Sequence, residues 1–112
     1  MRLRSDIWVA AYLRRTAVEG AYAVLRKRGA AEAGAIYVLV ARADGLTALY
    51  APGPTDPDGS GERRWFRAHT AEWVDAAASE THLKRELKRD PDLWVIEVES
   101  RDGSHWLNLV PN

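Results

Sequence analysis

Three histidines, His69, His82 and His105, stand too far apart for a helical metal motif, so neither an HExxH nor an HxH site is present. The chain has no cysteine, which excludes disulfides, thiolate metal sites and a cysteine nucleophile together. Glu97 and Glu99, two apart on an expected strand, point to one face. They lack the lysine and the separate aspartate of a nuclease-type acid–x–Lys pattern, and they read as solvent-facing carboxylates. The serines Ser5, Ser60, Ser79, Ser100 and Ser104 include no G-x-S-x-G elbow, and no glycine-rich phosphate loop occurs. Arg26-Lys27-Arg28 concentrates charge near Tyr22 but lacks the spaced aromatics on which bases stack, and reads as a solvated strand end. No catalytic, cofactor-binding or metal-ligating residue is therefore expected, nor a cofactor, nor a nucleic-acid partner.

The unusual feature is five tryptophans, Trp8, Trp65, Trp73, Trp94 and Trp106, in 112 residues. Core packing accounts for about three of them, and the remainder favour an interface, where tryptophan and arginine are enriched. The stretch from Ile7 to Leu13 is apolar on more than one helical stripe, whereas a helix lying on a single sheet buries only one. Trp8, Tyr12, Arg14 and Arg15 are accordingly the candidate interface. A two-fold homodimer is expected, with the arginines as a polar rim. In the rival account the sheet or a second helix covers helix 1 completely.

Positioning these residues requires the following elements. Ser5 can N-cap a first helix that carries Asp6 in its first turn and Arg14 and Arg15 in its last. Residues 21–29 read as a strand, although their alanine and leucine content also tolerates helix. Residues 35–42 are rich in β-branched and aromatic residues, and Asp44-Gly45 signals a two-residue type I′ turn into a returning strand, 46–50. That register sets Val40 against Leu49 and Leu39 against Tyr50. Both faces of this hairpin are apolar and need cover. Residues 51–61, with three prolines and three glycines, are expected to form a flexible loop. A short strand over 63–69 precedes a helix capped by Thr70 and running to about Arg89, with Trp73, Ala76, Ser79 or Glu80, Leu83 and Leu87 inward. Asp90-Pro91 stops it. A strand over 93–99, a second type I′ signal at Asp102-Gly103 and a returning strand over 105–110 complete the chain. The expected fold is one α+β domain over residues 1–112, a mostly antiparallel sheet of about six strands with two helices packed on it, in the order α-β-β-β-β-α-β-β.

Sixteen basic residues balance sixteen acidic ones. The first thirty residues carry +5 (seven basic, two acidic) and the rest −5 (nine basic, fourteen acidic), read as ends that neutralise each other within the fold or across a dimer. The longest apolar run is seven residues, far short of the ~20 that span a bilayer. Arg2 and Arg4 are followed by no apolar signal region, so a cytoplasmic protein without membrane attachment is expected.

Three blocks, Arg2-Leu3-Arg4-Ser5-Asp6-Ile7-Trp8-Val9-Ala10-Ala11-Tyr12-Leu13-Arg14-Arg15, Glu32-Ala33-Gly34-Ala35-Ile36-Tyr37-Val38 and Asp90-Pro91-Asp92-Leu93-Trp94-Val95-Ile96-Glu97-Val98-Glu99, carry a resemblance to a known family. The chain resembles, over nearly its whole length, a small alphaproteobacterial family, domain of unknown function 1491. The resemblance implies a bacterial cytoplasmic protein of about this length and transfers no activity, ligand or catalytic residue. Two functions from different classes follow. The first is a non-enzymatic protein-interaction or regulatory domain, homodimeric. The alternative is an enzyme or nucleic-acid binder whose site assembles from scattered residues: the helix-1 arginines, Glu97, Glu99 and a histidine. A concave pocket with converging polar groups, as against a flat aromatic patch, discriminates them.

Overall fold

The computed structural model describes residues 2–54 and 61–111. Helix α1 (Ser5–Val18) has Asp6 in its first turn and Arg15 in its last, each sign complementing the helix dipole. Ser5 does not cap it. Arg4 holds the N-cap position without a side-chain bond, and the first amides, of Ser5 and Asp6, donate instead to the carbonyls of Glu32 (3.1 Å) and Ala31 (3.0 Å). The Ser5 hydroxyl is fully buried and donates to the Gly34 carbonyl at 2.7 Å. The helix runs past Arg15 to Val18 and closes on Gly20 at φ +86°. There the amides of Gly20 and Ala21 reach back to the carbonyls of Ala17 and Thr16, a Schellman ending.

Five strands follow, interrupted by one helix: β1 (Tyr22–Lys27), β2 (Ile36–Ala41), β3 (Thr47–Pro52), β4 (Trp65–Arg67), α2 (Ala76–Arg89) and β5 (Trp94–Glu99). They form one mixed sheet in the order β1-β5-β2-β3-β4, with β2 and β5 parallel and every other pair antiparallel. The fold is α+β, as expected. The sheet has five strands rather than about six, and 21–29 contributes a strand rather than a helix. The strand expected over 105–110 does not form because β5 lies inside the sheet, with both edges taken by β1 and β2. That segment crosses to β4 instead, where Trp65 and Leu109 make a single parallel bridge. Its bonds there run from the Trp65 amide to the Asn108 carbonyl (2.9 Å) and from the Val110 amide to the Trp65 carbonyl (2.8 Å).

Each face of the sheet has its own helix, which explains the hairpin that is apolar on both sides. Val38 and Val40 of β2 and Ala48 and Tyr50 of β3 pack in one cluster with Val9 and Tyr12 of α1. The alternate residues, Leu39, Leu49 and Val95, pack with Leu83 of α2.

The β2–β3 turn differs from the two-residue type I′ turn by one residue. Leu39 pairs with Leu49 and Val38 with Tyr50, so the pairings of Val40 with Leu49 and Leu39 with Tyr50 are each displaced by one position. The loop is Ala43-Asp44-Gly45: the Gly45 amide donates to the Arg42 carbonyl, and Gly45 alone takes positive φ, +87°. That is a type I turn followed by a left-handed glycine. Gly103 (φ +84°) likewise takes positive φ while Asp102 does not, its amide donating to the Ser100 carbonyl at 3.4 Å. Helix α2 begins at Ala76 rather than beside Thr70. Its cap is Asp75, whose carboxylate accepts from the Ala78 amide at 2.8 Å, and Val74 is held beforehand by a bridge to Thr47. Of the loop expected over 51–61, Ala51 and Pro52 belong to β3, and residues 55–60 lie outside the described residues.

Candidate functional site

A cleft of about 390 Å³ opens between one flank of α1 and the segments that border β4. Its aromatic lining is Trp8 and Tyr12 of α1, Trp65 of β4 and Trp106 of the C-terminal segment. Trp8 and Tyr12, four apart and therefore on one helix face, stack at 4.8 Å with planes 15° apart. Trp65 tilts against Trp8 at 4.7 Å, its indole nitrogen donating to the Ile36 carbonyl at 2.9 Å. The Tyr12 hydroxyl donates to the carbonyl of His105 at 2.7 Å, which ties the helix to the residue just before Trp106. Burial, with Tyr50 nearby, pushes the Tyr12 phenol well above its ordinary range, so it stays a donor. His105 is held in turn, its ring tilted on Tyr50 at 4.6 Å and its Nδ1 accepting from the Leu107 amide. Between these two anchors Trp106 takes φ +56°, the only positive φ at a non-glycine among the described residues. For a bulky aromatic that backbone is an outlier of the kind that concentrates at ligand clamps.

The polar groups of the cleft are Arg15, Glu62, Arg63 and Asn108. Arg63 is 8% exposed. Its Nη2 donates to the Leu3 carbonyl (2.9 Å) and to the Ser5 hydroxyl (3.0 Å), while its Nε is buried without a partner. Among the described residues no carboxylate forms an ion pair with it. Burial, and then the like charge of Arg2, lower its pKa to about 10, so it remains a cation at neutral pH. A buried charge without a counter-charge costs several kcal/mol, on the order of an unpaired buried ion. The cleft can therefore accept an anionic group against a guanidinium that is already oriented and partly desolvated.

The candidate interface divides between the two flanks of α1. Trp8, Tyr12 and Arg15 line the aromatic cleft; Arg14 lines a shallower groove on the other flank, with Ile7, Leu13, Leu25 and Arg28. Tyr12 is buried, Trp8 is half-buried, and both arginines are exposed. The inward stripe is Ser5, Val9, Tyr12 and Thr16. The scattered catalytic alternative is separated by the sheet. Glu97 lies opposite Leu39 on the α2 face, accepting from Arg26, which also pairs with Glu80 at 2.7 Å. His105 and Arg15 belong to the α1 side. His69 and His82 do meet, ring edge to face at 5.3 Å, and Glu86 lies 3.8 Å from His82. Among the described residues no group of three or more His, Asp or Glu is placed to hold a metal ion. The basic run is engaged throughout: Lys27 donates to the Pro91 and Leu93 carbonyls, and Arg28 lies over Trp94 at 5.2 Å. Arg63, Trp106 and Asn108 carried no signal of their own in the sequence. The tryptophan count pointed to rings outside the core, and the sequence singled out Trp8 but not Trp106.

A family profile described as "Protein of unknown function (DUF1491)" matches residues 3–108. No protein of curated annotation matches the chain. Among solved structures, the solution structure of protein Atu0922 from A. tumefaciens is 37% identical, covers 100% of this chain and 98% of its own, and superposes with a TM-score of 0.84. The crystal structure of a DUF1491 family protein from Caulobacter crescentus CB15 is 33% identical, covers 99% and 100%, and gives 0.82. An NMR structure of a DUF1491 family protein from the same organism is 37% identical, covers 99% of each chain, and gives 0.81. These matches extend over the cleft as well as the sheet, and the chain belongs to the DUF1491 family of proteins of unknown function.

Proposed function

We propose that this chain is a non-enzymatic, cytoplasmic binding module of the regulatory or interaction class, which works by receiving an anionic group in the aromatic cleft beside α1. The observation that carries the reading is Arg63: a cation 8% exposed, lining a concavity walled by Trp8, Tyr12, Trp65 and Trp106, with no carboxylate paired to it among the described residues. The groups there bind and orient. Among the described residues of the cleft no general base adjoins a nucleophile, which is the pairing that acid–base or covalent catalysis needs. The test is a ¹⁵N NMR titration with acetate and with inorganic phosphate. Both anions are expected to shift the Arg63 Nε–H signal and the cleft indoles, and Arg63→Met is expected to abolish the shifts in a protein that still folds. Indoles and Arg63 that stay unmoved at high millimolar anion overturn the reading.

Self-association is a second reading, favoured by a separate observation. Ile7 and Val18, eleven apart and so on one outer stripe of α1, are 50% and 84% exposed. A second copy covering that stripe removes them from water.

A further inference from the structure

We infer that the cleft selects a small planar aromatic anion, a ring system bearing one carboxylate or phosphate, and that Trp106 is the residue that stacks on the ring. The inference rests on the anion-binding reading of the same cleft and adds the ring. Trp8, Tyr12 and Trp65 are in contact as one continuous wall. Trp106 lines the same cleft, half-buried, yet meets no other ring among the described residues. Its backbone is held at φ +56° although an aromatic side chain is strained there. The neighbouring anchors sustain that conformation: Tyr12 holds the His105 carbonyl, and the His105 ring holds the Leu107 amide. An indole kept in a costly backbone conformation beside a cleft, with its ring unstacked, is arranged to face something that the chain itself does not supply.

The rest of the lining defines that ligand. The apolar lining is mainly aromatic, with Leu3 and Ala11 beside the rings, and flat rings stacked offset on one another contribute more than the area they bury. Arg63 supplies a partly desolvated positive charge, its Nη2 already held by Leu3 and Ser5, with Arg15 as a second, exposed cation on the lining. The volume, about 390 Å³, is near the lower end of small-molecule sites and suits one ring system with its anionic group rather than a strand of nucleic acid.

The experiment compares four probes by isothermal titration and ¹⁵N NMR on the intact chain: indole-3-acetate, cyclohexylacetate, indole-3-acetamide and adenosine monophosphate. Indole-3-acetate is expected to bind roughly 2- to 10-fold tighter than cyclohexylacetate, which has the same charge without the flat ring; that range is one stacked ring's worth of affinity. It is also expected to exceed the neutral acetamide. Trp106→Leu is expected to remove the preference for the ring and leave the weak anion affinity, while Trp106→Phe retains the preference. Thermal melts confirm that each variant is folded. Whether indole-3-acetate or adenosine monophosphate binds tighter tells a carboxylate-bearing from a phosphate-bearing source, and either order supports the inference. Equal binding of indole-3-acetate and cyclohexylacetate overturns it while leaving the anion reading intact. Acetamide binding as tightly as the acetate, or no binding by any probe, overturns both.

Discussion

A methyl group added at Gly103 would lie 2.5 Å from two ring carbons of Trp73, at a backbone φ of +84°, whereas one added at Gly45 (φ +87°) meets nothing within 4 Å. The two glycines thus separate backbone strain from collision. Gly45→Ala is expected to cost about 1 kcal/mol, the backbone contribution alone, and Gly103→Ala about 2–3 kcal/mol, because the ring must also move. Urea midpoints of the two variants, compared at equal m-value, check the difference. His105 carries the pH dependence at this scale. Burial lowers its pKa below the ordinary 6.5. His82 shifts the same way, through burial and then the facing His69. For such groups the unfolded chain binds more protons than the folded one between the depressed value and 6.5. Their contribution is therefore complete above 6.5 and is lost as the pH falls toward the folded value. The melting temperature is expected to drop between pH ~7.5 and ~5.5, and His105→Asn, which can keep an acceptor for the Leu107 amide, is expected to flatten that profile.

The elements were legible to the extent that their burial is local. The expected inward stripe of α2 holds at Ser79 and Leu83, which are buried, and at Leu87, which packs on the same cluster; it fails at Ala76, which is exposed, and at Trp73, which precedes the helix and packs on the α1-side cluster. Leu83→Ala is expected to cost about 3 kcal/mol by leaving a cavity between α2 and β2–β3, and Leu87→Ala less, since that side chain is only half-buried; chemical denaturation gives both values. The start of α2 was not legible, because Thr70 and Asp75 are both good caps. What decides between them is the long-range bridge from Val74 to Thr47, reinforced by the buried contact of the Thr47 and Ser79 hydroxyls at 2.8 Å. The hairpin register failed for a similar reason. An Asp-Gly pair serves a two-residue turn or the end of a three-residue turn, and only the pairing of Val38 with Tyr50 distinguishes them.

At the scale of the whole molecule, α1 presents two flanks and an outer stripe. The inner stripe and the aromatic cleft account for Val9, Tyr12 and Trp8, while Ile7 and Val18 remain exposed. Light scattering at micromolar concentration is expected to show twice the 12.5 kDa chain mass. Ile7→Glu is expected to return the protein to a monomer with an unchanged circular dichroism spectrum, since its side chain is half in water already. A monomer mass that persists as the concentration of the unaltered chain rises removes the self-association reading. The cleft is independent of that outcome, because Trp8, Tyr12 and Arg15 line it from within one chain.

The sequence by itself determined the class of the fold. Helix-compatible stretches with caps and charge at their ends, and segments rich in β-branched and aromatic residues between turn signals, state the type of each element, and each such statement depends on neighbours a few positions away. It also determined that no cysteine chemistry and no phosphate loop are present. Only the tertiary structure decided that β5 enters between β1 and β2, which leaves the last segment to cross to β4 rather than pair beside its own turn. The cleft follows from that crossing. It joins Ser5 to Arg63 and Tyr12 to His105, pairs separated by 58 and 93 residues. No local spacing encodes such a meeting, because it depends on which sheet edge is free when the chain arrives there.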